Sequence, residues 1–147
     1  MPSSTFEIVV RTAAPKQKVF DLIADATSWQ RWAKPFVSHG EWLQEGDPAP
    51  GGVGAIRRVG SKAWGVKEQI TEYDPPDYLA YTILTWMPVR DYRAIVSIDK
   101  EGDGSRITWA GAMESKLPGA APVMAFLLGR SLKKMATGLA RYAEATA

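Results

Sequence analysis

Glu68 and His39 are the residues of this 147-residue chain best suited to move a proton. Glu68 lies in "AWGVKEQITEYD", where Val66, Glu68 and Ile70 alternate with Lys67, Gln69 and Thr71. Alternation at a period of two predicts a strand, with Glu68 on its apolar side. A carboxylate there is costly unless it is paired or hydrogen-bonded. Arg57 or Arg58 on the preceding strand could pair with it, or it could lie near a rim that water reaches. Burial would raise its pKa and fit it for general acid–base work, or it could bind a hydroxyl or amine of a guest. His39 is the single histidine. A metal centre would need it together with carboxylates, and no histidine–carboxylate spacing of that kind occurs. No G-x-S-x-G elbow presents a serine to it. It is expected as a half-exposed strand residue, with a proton-accepting role at the mouth of a site as the alternative. Cysteine is absent, which removes disulfides, thiolate metal sites and a cysteine nucleophile.

Aromatic residues form the second group. Tyr81, Tyr92 and Trp109 fall on the apolar parity of their strands, and each combines a large apolar body with one polar atom. Trp32 and Phe36 lie in a helix-to-strand connection. Trp29, Trp64 and Trp86 are expected at strand ends and helix contacts. The parity of Trp42 and Arg57 stays open, because the strands around Val37–Leu43 and Gly54–Val59 are too short and irregular to phase.

The elements that must position these groups follow from the pattern. "TFEIVVRT" alternates as a half-buried strand. In "APKQKVFDLIADATSW", Pro15 suits a first helical position and Val19, Phe20, Ile23 and Ala24 recur at helical spacing. A short helix is predicted at "SWQRW", with Ser28 as N-cap and Pro35 closing it. "EGDPAPGG" is turn chemistry, and "GGVG" is no phosphate loop because no Lys-Ser/Thr follows it. Leu79, Tyr81 and Ile83, then Tyr92, Ala94, Val96 and Ile98, then Ile107, Trp109, Gly111 and Met113 share the inner face of further strands. "EGDGS" forms a hairpin between the last two. With no helices between them, these strands imply an antiparallel sheet with one apolar face.

The chain closes on "PVMAFLLGRSLKKMATGLARYAEATA". Met124, Leu128, Leu132, Met135, Leu139 and Tyr142 fall on steps of three and four, one face of a long helix, and Val123, Phe126 and Leu127 widen that face at its start. Gly129 and Gly138 each cost about 1 kcal/mol against alanine in a helix interior, which points to close backbone approach or mobility. The fold expected is α+β, a curved antiparallel sheet wrapped around one long helix, in a single domain over residues 1–147.

Net charge is +2 with the basic residues dispersed, which argues against a nucleic-acid partner. The longest apolar run, "AAPVMAFLL", is far short of the roughly 20 residues of a membrane span. The start of the chain lacks the pattern of a secretory signal, so a cytoplasmic protein is expected.

The segments "RTAAPKQKVFDLIADATSWQRW", "KEQITEYDPPDYLAYTI" and "YRAIVSI…GDGSRITWAG", with the terminal helix, resemble the START-like, Bet v 1-like (SRPBCC) superfamily. Within it the chain is most similar to the bacterial polyketide cyclase/dehydrase-like proteins. The resemblance spans nearly the whole chain and rests on architecture rather than a catalytic signature. It implies a helix-grip fold of about seven strands, two short helices after the first strand, and a cavity between sheet and terminal helix. It implies a small hydrophobic partner, such as a lipid or a polyketide-like aromatic, and no cofactor or metal, with the protein a monomer or homodimer. The side chains then expected to line the cavity are Trp32, Phe36, Glu68, Ile70, Tyr81, Tyr92, Trp109, Met113, Met124, Leu128, Leu132, Met135 and Leu139. Binding or transport is the first expectation. A polyketide cyclase or dehydratase with Glu68 or His39 as its proton-transfer group is the alternative, and an antitoxin-like partner protein a third.

Overall fold

The structure, a computed structural model, describes residues 3–61, 63 and 65–146; Trp64 lies outside the described residues. The chain runs β1 (Ser4–Thr12), α1 (Lys16–Ala24), a 3-10 turn (Ala26–Ser28), α2 (Trp29–Trp32), β2 (His39–Gln44), β3 (Ile56–Gly60), β4 (Gly65–Asp74), β5 (Tyr78–Ile83), β6 (Val89–Glu101), β7 (Gly104–Ser115) and α3 (Ala120–Thr146). The seven strands form one antiparallel sheet in the order β1-β7-β6-β5-β4-β3-β2, so the first strand closes against the last and β2 forms the far edge.

Every step after β2 pairs sequence neighbours, as a meander does, and the sheet curls around α3. The β6–β7 turn forms where expected, with Gly102 at φ +60. Two local details differ from the sequence reading. Pro15 precedes α1 rather than opening it, with extended backbone at ψ 152. Ser28 makes no side-chain cap to α2. Its hydroxyl turns inward to the carbonyls of Leu22 and Asp25 and accepts from Trp32 Nε1, because this segment is buried and those groups have no water to bind.

The buried face of β1, β6 and β7 supplies Phe6, Ile8, Val96, Ile98, Ile107 and Trp109, and α1 adds Val19, Phe20 and Ile23. On α3 the buried arc runs through Ala121, Ala125, Leu132, Met135, Ala136, Leu139, Ala140 and Ala143. This corrects the expected stripe. Val123, Phe126 and Leu127 do not widen it; they are 58%, 62% and 51% exposed. The arc is centred on alanines, which a count of large apolar residues overlooks, and these three large residues fall on the opposite side of the helix. Gly138 is a close approach: a Cβ there would lie 2.3 Å from the Trp32 carbonyl oxygen. Gly129 is under no such constraint, its nearest neighbour being Phe6 Cβ at 3.8 Å.

Candidate functional site

Between the concave face of the sheet and α3 lies a cavity of about 450 Å³. Trp29, Phe36 and Val37 close it on the side of α2 and the connection after it. β3 and β4 contribute Val59, Val66 and Glu68, and β5 contributes Tyr81 and Ile83. Thr85, Trp86 and Met87 come from the loop before β6, Tyr92 and Trp109 from β6 and β7, and Leu128, Ser131, Leu132 and Met135 from α3. Phe36 and Trp86 are 38% and 70% exposed and mark the side where the cavity meets solvent. The walls are mostly aromatic and aliphatic, with a few polar groups among them, the usual make-up of a small-molecule site.

Those polar groups are built by strand register. Arg57 on β3 stands directly across from Glu68 on β4, so both side chains project from the same face of the sheet. That face is the inner one. Arg57 Nε donates to Glu68 Oε1 at 2.9 Å, and Arg57 Nη1 donates to the Ile23 carbonyl at 3.0 Å. The guanidinium carbon lies 4.4 Å from the Trp29 ring centroid and 5.2 Å from that of Tyr81. Nη2 has no hydrogen-bond acceptor, and the π face of Trp29 supplies the negative surface it would otherwise lack. Burial pushes the Glu68 carboxyl above its usual range, outweighing the pull of Arg57's charge and hydrogen bond in the other direction. The salt bridge offered as one setting for Glu68 exists, then, with Arg57, and the same carboxylate also lines the cavity. Arg58, of opposite parity, points outward and reaches Glu41 at 3.4 Å.

The two tyrosines extend the polar floor. Trp109 Nε1 donates to Tyr81 Oη at 3.1 Å. Tyr81 and Tyr92 have ring centroids 6.4 Å apart. Burial raises both phenols above their ordinary range. Tyr92 and the Glu68 carboxylate add to this for Tyr81, as does Glu68 for Tyr92. Both therefore stay protonated and neutral. Tyr92 shares the inward parity of Ala94, Val96 and Ile98, and a bulge changes the parity of the residues just before it. β6 shifts register against β7 between Arg90 and Arg93, with Asp91 at φ +53. The extra residue lets Val89 and Tyr92 both be buried, although strict alternation would send one of them outward.

Of the residues expected to line the cavity, Phe36, Glu68, Tyr81, Tyr92, Trp109, Leu128, Leu132 and Met135 meet around it. Trp32, Ile70, Met113, Met124 and Leu139 are not among its walls. Trp32 is buried against Trp29, with ring centroids 4.7 Å apart. Ile70 sits opposite Tyr81 but in closed core, Met113 lies farther along β7, and Leu139 is fully buried. Met124 packs at the edge of the core. Parity and helical spacing put Ile70, Met113, Met124 and Leu139 on the inner side, and the resemblance put Trp32 near it, but none of these carries information on where along that surface the space opens. His39 is also not among the walls; it sits half-buried on the edge strand β2, with Nε2 2.5 Å from Glu41 Oε2. Two residues that sequence reasoning placed at helix contacts and strand ends, Trp29 and Trp86, are cavity walls. The sequence offers Arg57 together with Arg58 as a partner for Glu68, and their five-residue strand, with irregular turns on either side, leaves open which of the two faces inward. Among the described residues no group of histidine and carboxylate side chains is placed to hold a metal ion, and no helix is long and apolar enough to cross a membrane.

Residues 3–144 match the family model described as polyketide cyclase / dehydrase and lipid transport. No curated protein matches the chain in sequence. Among solved structures it is similar to Ara h 8.0201, at 16% identity and TM-score 0.77, over 98% of this chain and 99% of that one. It is similar to a START superfamily protein from Mycobacterium smegmatis, at 17% identity and TM-score 0.76, over 97% and 99% of the two chains. It also resembles XoxI from Bacillus cereus, at 16% identity and TM-score 0.73, over 97% and 95%. At these identities the likenesses speak to the fold alone.

Proposed function

The chain belongs to the polyketide cyclase/dehydrase and lipid-transport family, and from that membership and the cavity geometry we propose that it binds and carries a small hydrophobic molecule between the sheet and α3. One observation carries the reading: a cavity of about 450 Å³ with aromatic and aliphatic walls and the Glu68–Tyr81–Tyr92 group in its floor. Burying apolar guest surface at about 25 cal/mol per Å² supplies the affinity, and the polar floor fixes orientation. The absence of cysteine suits a reducing compartment, and the proposal has the protein working in the cytoplasm as a monomer or homodimer.

Native mass spectrometry of the purified protein, followed by extraction of any co-purifying molecule, tests this directly. An apolar fluorescent probe should bind in one-to-one ratio and be displaced when Leu132→Trp fills the space. Probe binding unchanged in a folded Leu132→Trp variant would sink the proposal.

A second reading, a cyclase or dehydratase, is favoured by one feature: Glu68 is a buried carboxyl with a raised pKa in the wall of a mostly apolar cavity. Glu68→Gln would then abolish product formation, whereas in a carrier it alters affinity and guest preference and leaves no turnover to lose.

A further inference from the structure

The floor of the cavity is chemically one-sided. Arg57 and Glu68 form an ion pair, but their side chains are 0% and 8% exposed, and of the two only Glu68 lines the cavity. The cation is walled off. Its Nε is engaged by Glu68, its Nη1 by the Ile23 carbonyl, and Trp29 and Tyr81 lie against its guanidinium. Among the described residues no lysine, arginine or histidine lines the space. A guest therefore meets a carboxylate and two phenols, with the compensating positive charge out of reach behind them.

Resting on the reading that the cavity holds an apolar molecule, we infer that it selects a neutral guest carrying a hydrogen-bond donor, an aromatic or alicyclic alcohol or phenol, and excludes carboxylates of the same shape. The hydroxyl of such a guest donates to Glu68, and its ring system packs on the aromatic walls. A carboxylate would lose its water, meet the Glu68 end of the ion pair and not its Arg57 end, and find no cation within reach to pair with. An ammonium guest is disfavoured for the opposite reason. Arg57 already neutralises Glu68, so a second full positive charge would be desolvated without a matching anion.

Isothermal titration of the full chain at neutral pH with 2-naphthol, 2-methoxynaphthalene and 2-naphthoate separates these effects, because the three share one ring system. The expected order is 2-naphthol tighter than 2-methoxynaphthalene by about tenfold or more, the effect of a hydrogen bond to a charged acceptor, with 2-naphthoate weakest. Equal binding of 2-naphthol and 2-methoxynaphthalene overturns the donor requirement and leaves the apolar cavity standing. 2-Naphthoate binding as tightly as 2-naphthol overturns the exclusion of anions in the same way. No binding by any of the three overturns the cavity reading and this inference with it. In a Glu68→Gln variant that circular dichroism shows to be folded, the preference for 2-naphthol over 2-naphthoate should fall by about tenfold or more, since the acceptor remains and the charge is gone. An unchanged preference in that variant would contradict the role given to Glu68.

Discussion

The two halves of α3 present one continuous buried arc to the sheet and meet different things. In its C-terminal half the arc is Ala136, Leu139, Ala140 and Ala143, all at most 4% exposed. Small side chains there, and Gly138 under the Trp32 carbonyl, let the helix close onto the rest of the molecule. Thr12 Oγ1 donates to the Ala140 carbonyl at 3.0 Å and ties β1 to the same stretch. Further toward the N-terminus Leu128, Ser131, Leu132 and Met135 face the cavity instead. The helical period is the same in both halves. What differs is how near the backbone comes to its partners, and close approach needs residues with little or no side chain. The tight half anchors the helix, so the other half can stand off from the sheet without collapsing onto it.

The sharpest break of this contrast is at the cavity floor. Arg57→Met leaves Glu68 buried without its partner and should cost about 3–5 kcal/mol in urea unfolding at neutral pH, while Arg57→Met combined with Glu68→Leu recovers most of that loss. The pair also has a pH signature. The folded state holds the Glu68 proton to higher pH than the unfolded chain does. Its contribution to stability is therefore fully present below the ordinary value of 4.5 and is lost as pH rises through the folded value. The stability of the natural protein relative to the double variant should decline over that rise. An increase would show that Arg57's charge outweighs desolvation.

Next in size is a pair of identical truncations. Leu139→Ala removes packed atoms from the closed half and should cost about 2–5 kcal/mol, whereas Leu132→Ala, which borders existing space, should cost clearly less and enlarge the cavity. Thermal melts of the two variants decide it, and equal losses would mean that the halves are packed alike.

The smallest pair concerns the glycines. Gly138→Ala forces Trp32 or α3 to shift and should destabilise by about 1–3 kcal/mol. Gly129→Ala meets only ordinary contact and should stabilise by up to about 1 kcal/mol. Denaturation midpoints of both variants test the sign as well as the size.

How much of this was legible in the chain depends on the length of each repeat. β4, β5, β6, β7 and α3 are long enough for their periods to show, so Glu68, Tyr81, Tyr92 and Trp109 could be assigned to the inner face. β3 has five residues between irregular turns, and Arg57, the partner that defines the chemistry of Glu68, could not be phased. The bulge at Asp91 was likewise invisible, since one inserted residue changes parity without changing composition.

By itself the sequence determined the order of elements, the antiparallel meander and the inward side of each long strand, because side-chain direction follows from local backbone period. Only the tertiary structure decided where that inner surface is solid and where it is hollow. Packing depends on the distance between elements far apart in the chain, here set by Gly138, the alanines of α3 and the Arg57–Glu68 register, and no local period records that distance.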